Sequence, residues 1–242
     1  ELETTSGRDL HDWSQEWLQT AGVNLMRPIA TFSDPDTYET VTIIQEPPAT
    51  PAGLPPVLRS HRMRVGLYNL VDGHLTRTNL IELDVVGEQT ELPQLAGHPA
   101  ADLLLLNDDD LTFAKIRLGG RSTATAIEHM GDLTEPMPRA LIWGAAWDMT
   151  RDAEMSTGEF LTMALAGLPT EKDIGVVSKV LQQVRTAIDL YASDAHREAY
   201  KLRFESAVHD ALLSAAPGSD HQLAYARILA GVARSDSALD LL

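Results

Sequence analysis

The sequence contains no cysteine, which excludes disulfide bonds and thiolate chemistry and agrees with a reducing compartment. Positive charge is also scarce: 19 Lys and Arg stand against 35 Asp and Glu, which gives a net charge of −16. A chain this acidic is a poor partner for nucleic acid or an anionic membrane surface. No apolar run approaches the roughly 18 residues that a membrane span needs, and no signal peptide is recognisable. We therefore expect a cytoplasmic protein.

The catalytic motifs of common enzyme classes are missing as well. There is no H-E-x-x-H zinc motif, no G-x-S-x-G serine motif, no P-loop and no G-x-G-x-x-G nucleotide loop. No two of the eight histidines are four residues apart. His196 and Glu198 are too close in sequence to share one helix face as zinc ligands. The sequence therefore assigns no catalytic, cofactor-binding or metal-binding residue, and no enzymatic activity to these residues themselves.

The segment from about residue 25 to residue 110 has the pattern of β structure. Strands are predicted at 40–45, 62–70, 74–86 and 103–106, the last fully buried. Asp72-Gly73, between the second and third strands, is the strongest short signal for a β-hairpin. The proline-rich stretch 46–56 is interpreted as an exposed loop inside the domain. We predict a small antiparallel β-sandwich over 25–110.

Beyond residue 110 the hydrophobic period becomes that of α-helices. Helices are predicted at 122–130, 136–149, 156–166, 172–192, 195–215 and 220–233. The longest carries an apolar stripe at spacings of three and four, from Ile174 to Tyr191. Short breakers, such as Gly131-Asp132 and Pro217-Gly218, imply that neighbouring helices are antiparallel. The predicted fold class is α+β and multidomain: a β-sandwich followed by a HEAT-like α-helical solenoid over 111–242.

Three features of this part of the chain allow a functional interpretation beside a structural one. The acidic run from Asn107 to Asp110 suggests a site for a hard cation or a solvated junction after a buried strand. Gly119-Gly120 suggests a phosphate cradle or a turn. Trp143 and Trp147, one helical turn apart, suggest a stacking surface for a ligand or core between helices. The structural interpretation is favoured in all three cases.

Both ends of the chain carry apolar helix faces. An opening helix of about four turns is predicted between an N-cap at Ser6 and Gly22, with Leu10, Trp13, Trp17 and Leu18 on one face. That face either packs on later parts of this chain or belongs against a preceding domain. A last helix, capped by Ser235, carries Leu239, Leu241 and Leu242. We expect the chain to be cut at both ends, with 1–24 as the terminal helix of a missing domain and self-association through its exposed face.

Three stretches resemble the zinc aminopeptidase N family. GRDLHDWSQEWLQTAGVN, residues 7–24, resembles the end of that family's catalytic domain, with Trp13 and Trp17 followed by Thr20, Gly22 and Asn24. Residues 103–118 resemble the crossing from the small β domain into the C-terminal helical domain. PRALIWGAAWDMTRDAEMS, residues 138–156, resembles the first helices of that domain. The resemblance covers nearly the whole chain in the family's own domain order.

The resemblance implies that the chain is the non-catalytic C-terminal part of an enzyme that removes N-terminal amino acids from peptides. In the family the zinc ligands and the catalytic residues lie upstream, and no position here matches their motifs. Zinc is therefore implied for the parent and not for this part. The implied partners are the catalytic domain of the same polypeptide and, in the parent, peptide substrates. The implied role is to support the catalytic domain and to shape the substrate chamber.

A second function from another class stays open: a free-standing helical-repeat module that binds proteins, with a β domain attached. If the peptidase interpretation holds, basic residues on the helices are candidates to bind the C-terminal carboxylate of a peptide, because arginine pairs bidentately with carboxylates. The candidates are Arg139, Arg151, Arg185, Arg197, Lys201, Arg203 and Arg227. For most of them a solvated surface charge or a local ion pair is the favoured interpretation, so none is assigned as a site.

Overall fold

The computed structural model describes residues 2–7, 9–53 and 56–241, and its contacts divide the chain into two units. The β unit comprises 2–72 and 76–123, and the helical unit comprises 73–75 and 124–241. The elements before residue 120 are α1 (Leu2–Ser6), α2 (His11–Leu18), β1 (Leu25–Asp34), β2 (Thr37–Glu46), β3 (His61–Val71), β4 (His74–Val85), β5 (Gln89–Glu91), β6 (Leu103–Leu106) and β7 (Lys115–Ile116).

Helices follow from residue 120 onward. They are α3 (Gly120–His129), α4 (Pro136–Arg151), α5 (Thr157–Gly167), α6 (Ile174–Thr186), α7 (Asp194–Ser214), α8 (Asp220–Val232) and α9 (Asp236–Asp240). The predicted helices all appear, with ends shifted by a few residues. Within the described ranges, no helix is long and apolar enough to cross a bilayer.

The strands form two sheets, of order β5-β2-β1-β7 and β4-β3-β6. β1 pairs antiparallel with β2, β2 with β5, and β3 with β6. β7 pairs parallel with β1, so the first sheet is mixed and the predicted purely antiparallel arrangement is wrong at this edge. Strand structure also continues past residue 110. A two-residue strand is too short to carry a hydrophobic period, which is why the sequence did not predict it.

The hairpin between β3 and β4 confirms its sequence signal. Asp72 and Gly73 have φ angles of 51° and 80°, and positive φ at both central residues is the requirement of a type I′ turn. Met63, Val65 and Leu67 are buried on one face of β3, as their alternation predicts. All four residues of Leu103–Leu106 are buried too. The alternation of β3 holds from His61 to Val65, whereas β6 is buried on both faces, as its continuous run of leucines predicts.

The opening helix is much shorter than predicted. α2 begins after Leu10 and ends at Leu18, while Ser6 closes the separate helix α1 instead of capping α2. The N-cap is Leu10, which has no side-chain capping bond, and the Asp9 carboxylate accepts a hydrogen bond from the His11 N–H at 2.9 Å just before the helix. Gly7, with a φ of 67°, interrupts the helix between the two segments. The predicted N-cap at Ser6 is therefore wrong.

One side of α2 packs on the strand β3 and the residues before it. The Trp17 Nε1 donates a hydrogen bond to the Ser60 carbonyl at 3.1 Å, and the Ser60 N–H donates to the Glu16 carboxylate at 2.8 Å. The Arg59 guanidinium lies 5.4 Å from the centre of the Trp17 ring, a cation–π arrangement. Trp13 and Leu18 remain exposed. The helix thus packs on this chain through Trp17, while part of its apolar face stays uncovered.

Sequence-local caps define the ends of the helices in the helical unit. Ser156 and Glu159 form a reciprocal capping box at the start of α5, and the Asp173 carboxylate accepts from two backbone N–H groups of α6. The predicted stripe of α6 is buried at Val177, Leu181 and Val184. After Thr186 the helix continues as a π-helical segment, Ala187–Tyr191, closed by a hydrogen bond from the Ala192 N–H to the Ala187 carbonyl.

The substitution Gly66→Ala should destabilise the β unit strongly. A Cβ atom at this position would lie 2.1 Å from Oδ2 of Asp108 and 2.7 Å from Cε2 of Tyr68, both in the interior. We expect a loss of roughly 3 kcal/mol in the free energy of unfolding, measured by urea denaturation. The control is Gly119→Ala, where the nearest atom would be 3.7 Å away. Equal denaturation midpoints for the two variants would contradict this account.

Candidate functional site

The side chains of the described residues do not fit a zinc ion. Within the described ranges, no group of three or more His, Cys, Asp or Glu residues is placed to hold a metal. Nδ1 of His196 lies 2.9 Å from the Ser193 hydroxyl, and the imidazole stacks on Tyr200. Glu198 pairs instead with Lys201 and Arg234. His196 and Glu198 thus each contact other side chains of the helical unit.

The acidic run after β6 forms an ionic cluster around one buried carboxylate. The Asp108 side chain is 0% exposed; its Oδ2 accepts from the Tyr68 hydroxyl at 2.8 Å and from Arg77 at 3.1 Å. Asp109 binds Arg64 at 2.8 Å and Arg77 at 3.0 Å. Hydrogen bonds from Arg64 and then Arg77 lower the pKa of the Asp109 carboxyl. Neither the cation site nor the solvated junction describes this run, since arginines already neutralise its two central carboxylates.

The backbone of the same run explains its unusual composition. Asn107, Asp109 and Asp110 have φ angles of 58°, 69° and 54°, a left-handed conformation that Asn and Asp tolerate better than most residues. The Asn107 side chain donates to the Thr112 carbonyl at 2.8 Å and accepts from the Thr112 N–H at 3.1 Å. The run is therefore a turn with its own side-chain hydrogen bonds, and Asp108 is the member that enters the core.

The other two ambiguous features are structural. Gly120 is the first residue of α3, and the Gly119 carbonyl accepts the Thr123 N–H at 2.8 Å, so the glycine pair forms the turn into the helix. Trp143 is buried in the helical unit. The Trp147 ring lies 5.7 Å from that of Phe160 and 6.2 Å from that of Tyr191, both tilted. These tryptophans belong to the core between helices.

His61 is a buried histidine that sequence reasoning did not single out. Its Nδ1 lies 2.7 Å from the Thr112 hydroxyl, and its ring packs edge-on against Trp17 at 5.0 Å. Its Nε2 is buried and makes no hydrogen bond with the described residues. Burial, and then the neighbouring Arg59 charge, lower the pKa of His61 to about 4. The imidazole is thus held neutral in the folded protein.

Arg139 is not free to meet a ligand, because it forms a buried ion pair with Glu171. Oε1 of Glu171 also accepts from the backbone N–H groups of Lys172 and Asp173 at 2.9 and 3.0 Å. Burial raises the pKa of Glu171, but hydrogen bonds from Arg139 and Asp173 outweigh it and lower the pKa overall. Arg139 therefore joins α4 to the turn before α6.

Four other candidates from the sequence are separated from one another. Arg151 lies 4.0 Å from Asp148 on the surface, and Arg203 donates to the Thr162 hydroxyl at 3.0 Å. Arg197 binds Asp194 and the carbonyls of Ile188 and Ala192, which close the end of the π-helical segment. Arg227 lines a cavity of about 470 Å³ beside α6 and α8.

Arg185 and Lys201 do come together, at one cavity of about 230 Å³ in the helical unit. A third cation, Arg234, lines the same cavity from the loop after α8, and we call this site the cation cavity. Its remaining lining residues are Ile188, Asp189, Phe204, Gly231, Val232 and Ala233. Sequence reasoning missed Arg234 because it lies outside every predicted helix. The sequence signal that could have drawn attention to Arg234 is its position directly before Ser235, the predicted N-cap of the last helix.

Comparison with known proteins identifies the family of this chain. The ERAP1-like C-terminal domain matches residues 103–240, more than half of the chain. The chain belongs to this family. It is also 50% identical over 244 residues to an aminopeptidase N of Streptomyces lividans, a match that covers 100% of this chain and 28% of the relative. The chain thus spans 28% of the length of that relative.

These matches confirm the resemblance to aminopeptidase N that the sequence predicted. The ERAP1-like C-terminal domain includes the cation cavity and the buried Arg139–Glu171 pair, since both lie within residues 103–240. The aminopeptidase N similarity extends further, through His61 and the β unit. The cation cavity and the Arg139–Glu171 pair therefore both belong to the part of the chain that the family model matches.

For this member of the ERAP1-like family, stability should fall on acidification partly through His61. The unfolded chain binds a proton near the ordinary pKa of about 6.5, whereas the folded imidazole stays neutral down to about 4. Stability from this group is therefore complete above pH 6.5 and is lost between about 6.5 and 4. We expect the loss to be on the order of 3 kcal/mol, measured as the wild-type dependence minus that of His61→Gln.

Subtracting the His61→Gln curve from the wild-type curve isolates the contribution of His61. Carboxylates whose pKa is lowered in the folded protein, such as that of Asp109, also make the protein less stable as the pH falls. His98→Gln serves as the matched control, since His98 is only half-buried. If wild type and His61→Gln have parallel stability curves from pH 7 to pH 4, the buried-imidazole explanation is wrong.

Proposed function

We propose that this chain is the non-catalytic C-terminal part of a zinc-dependent aminopeptidase N, an enzyme that removes N-terminal amino acids from peptides. In this proposal the chain packs on the catalytic domain of the same polypeptide and shapes the chamber that peptides enter. The observation that carries it is the 50% identity to an aminopeptidase N across 100% of the chain. Zinc and the catalytic residues would belong to other parts of the parent.

The packing order of the helices supports a chamber-forming role. α4 contacts α5 and α6, α5 contacts α6 and α7, and α6 contacts α8, so helices pack on the next helix and on the one after it. A two-layer stack of helical hairpins has this contact pattern, and such stacks curve to give a concave surface. We infer a HEAT-like solenoid from it. A concave wall of helices is suited to limiting the size and ends of peptides.

The extent of the sequence match and an exposed apolar surface favour this role over a free-standing binding module. The identity to aminopeptidase N runs through both units, whereas a module joined to an unrelated β domain would match in the helices alone. The exposed Trp13 and Leu18 offer an apolar surface of the kind that a neighbouring domain covers. A second copy of the chain would cover the same surface, which is why self-association belongs to the proposal for the isolated chain.

The purified chain should release no product from aminoacyl p-nitroanilides and should bind no stoichiometric zinc. The reason is that the sequence lacks H-E-x-x-H and the described residues offer no metal-binding group. Absorbance of released nitroaniline and metal analysis by mass spectrometry check both points. The matched control is the aminopeptidase N of Streptomyces lividans under identical conditions. Product release that a chelator abolishes would refute the assignment of a non-catalytic part.

In the full-length parent, basic residues of the helical unit should affect peptides more than single aminoacyl amides. The reason is that a tripeptide carries a C-terminal carboxylate and an amide does not. We expect an Arg→Ala substitution at a real contact to raise KM for a tripeptide several-fold, with KM for the amide nearly unchanged. Arg185, Arg203 and Arg227 are the variants to measure, since Arg139 is committed to a buried pair.

Arg62→Ala is the control for these variants, because Arg62 pairs with Glu82 and Asp84 on the strands of the β unit. If every helical variant treats both substrates alike, the helical unit selects peptides by shape alone and the carboxylate contact should be abandoned.

A further inference from the structure

The cation cavity concentrates positive charge in a protein that has little of it. Arg185 comes from α6, Lys201 from α7 and Arg234 from the loop after α8, so three separate elements bring a cation to one site. The whole chain carries 19 basic and 35 acidic residues. A local excess of cations against that background is a property of the folded arrangement, because these residues are far apart in sequence.

The floor of the cavity is formed by apolar side chains, below polar walls that are open to solvent. Phe204 and Ile188 are both buried, and the side chain of Lys201 is only 22% exposed. Arg185 and Arg234 are 44% and 48% exposed, so water screens their charge in part, and Lys201 is the cation whose charge is screened least. A volume of about 230 Å³ holds an anion of a few heavy atoms together with some water.

Gly231 lets the Arg185 guanidinium reach its position. A Cβ atom at residue 231 would lie 2.7 Å from the Arg185 Nη1, so any larger residue would push the guanidinium away. The ion pair that the described residues give to Arg185 runs from its Nε to Asp189 at 3.7 Å. Both terminal nitrogens of the guanidinium are therefore left for a ligand, and their fork matches two oxygens of one anion.

Two carboxylates of the protein compete for these cations: Asp189, which lines the cavity and is 46% exposed, and Glu198, which lies beside it. Glu198 bridges Lys201 at 3.2 Å and Arg234 at 2.6 Å, but its side chain is 67% exposed. Exposed pairs of this kind contribute little, typically about 0–1 kcal/mol. An incoming anion that binds all three cations exchanges these pairs for contacts deeper in the cavity.

We propose that the cation cavity is a binding site for a small oxyanion, a carboxylate or a phosphate, held by Arg185, Lys201 and Arg234. Arg185 supplies a forked pair of donors, and Lys201 and Arg234, which share the Glu198 carboxylate, supply further charge. The proposal does not depend on the peptidase role, because inorganic phosphate and the C-terminal carboxylate of a peptide share the chemistry that the site recognises.

The test is calorimetric titration of the 242-residue chain with sodium phosphate, with N-acetyl-dialanine, and with the C-terminal amide of that dipeptide. Saturable binding of phosphate, of the acid, or of both supports the site and identifies the source of the anion. The amide should not bind. Absence of saturable binding by both anions overturns the proposal.

Three variants locate the binding within the chain. The double substitution Arg185→Gln with Lys201→Gln should weaken binding at least tenfold. Gly231→Ala keeps every charge but displaces the Arg185 guanidinium, and it should also weaken binding. Arg151→Gln, which removes an exposed cation outside the cavity, should bind like wild type. Thermal unfolding confirms that each variant is folded. If Arg151→Gln weakens binding as much as the double variant, the effect is general charge and the proposal fails.

Discussion

The β unit depends on the burial of one carboxylate. Asp108 follows directly after the buried strand β6, and its side chain is wholly enclosed. A charged group in the interior is tolerated only when hydrogen bonds and an opposite charge replace its water. Tyr68 on β3 and Arg77 on β4 supply these, and Gly66 on β3 leaves the space. The Asp108 carboxylate thus connects the end of β6 to side chains on both β3 and β4. A shift of register by one residue would turn these partners to the opposite face.

Buried carboxylates organise the helical unit in a similar way. Glu171 pairs with Arg139 and accepts two backbone N–H groups before α6, so it joins α4 to the start of another helix. Glu205 on α7 is buried and accepts from the Ser235 N–H at 2.9 Å, at the start of α9. Apolar faces alone allow helices to slide on one another at small cost. Polar anchors of this kind make one alignment preferable, since every other alignment leaves a buried charge unpaired.

Sequence periodicity was a reliable guide wherever an element was long. The helices from residue 136 onward and the hairpin at Asp72-Gly73 follow directly from hydrophobic period and turn residues. The two-residue strand β7 and the interruption at Gly7 were missed, because neither leaves a pattern long enough to detect. The acidic run was recognised as unusual, but its partners were not. Tyr68 and Arg77 lie 40 and 31 residues from Asp108, and no local pattern relates positions so far apart. Arg234 of the cation cavity was missed for another reason, since the candidates were basic residues on predicted helices and Arg234 lies between two of them.

The π-helical segment Ala187–Tyr191 has a consequence for how this family can change in length. A π-helical turn closes with a hydrogen bond one residue longer than an α-helical turn, so it accommodates one residue beyond what a regular helix needs. A relative that lacks one residue here could form ordinary α-helix and keep the rest of α6 in place. The segment is therefore a point where an insertion or deletion changes the helix only locally. The ring of its last residue, Tyr191, packs against that of Trp147, so such a change would alter this aromatic contact.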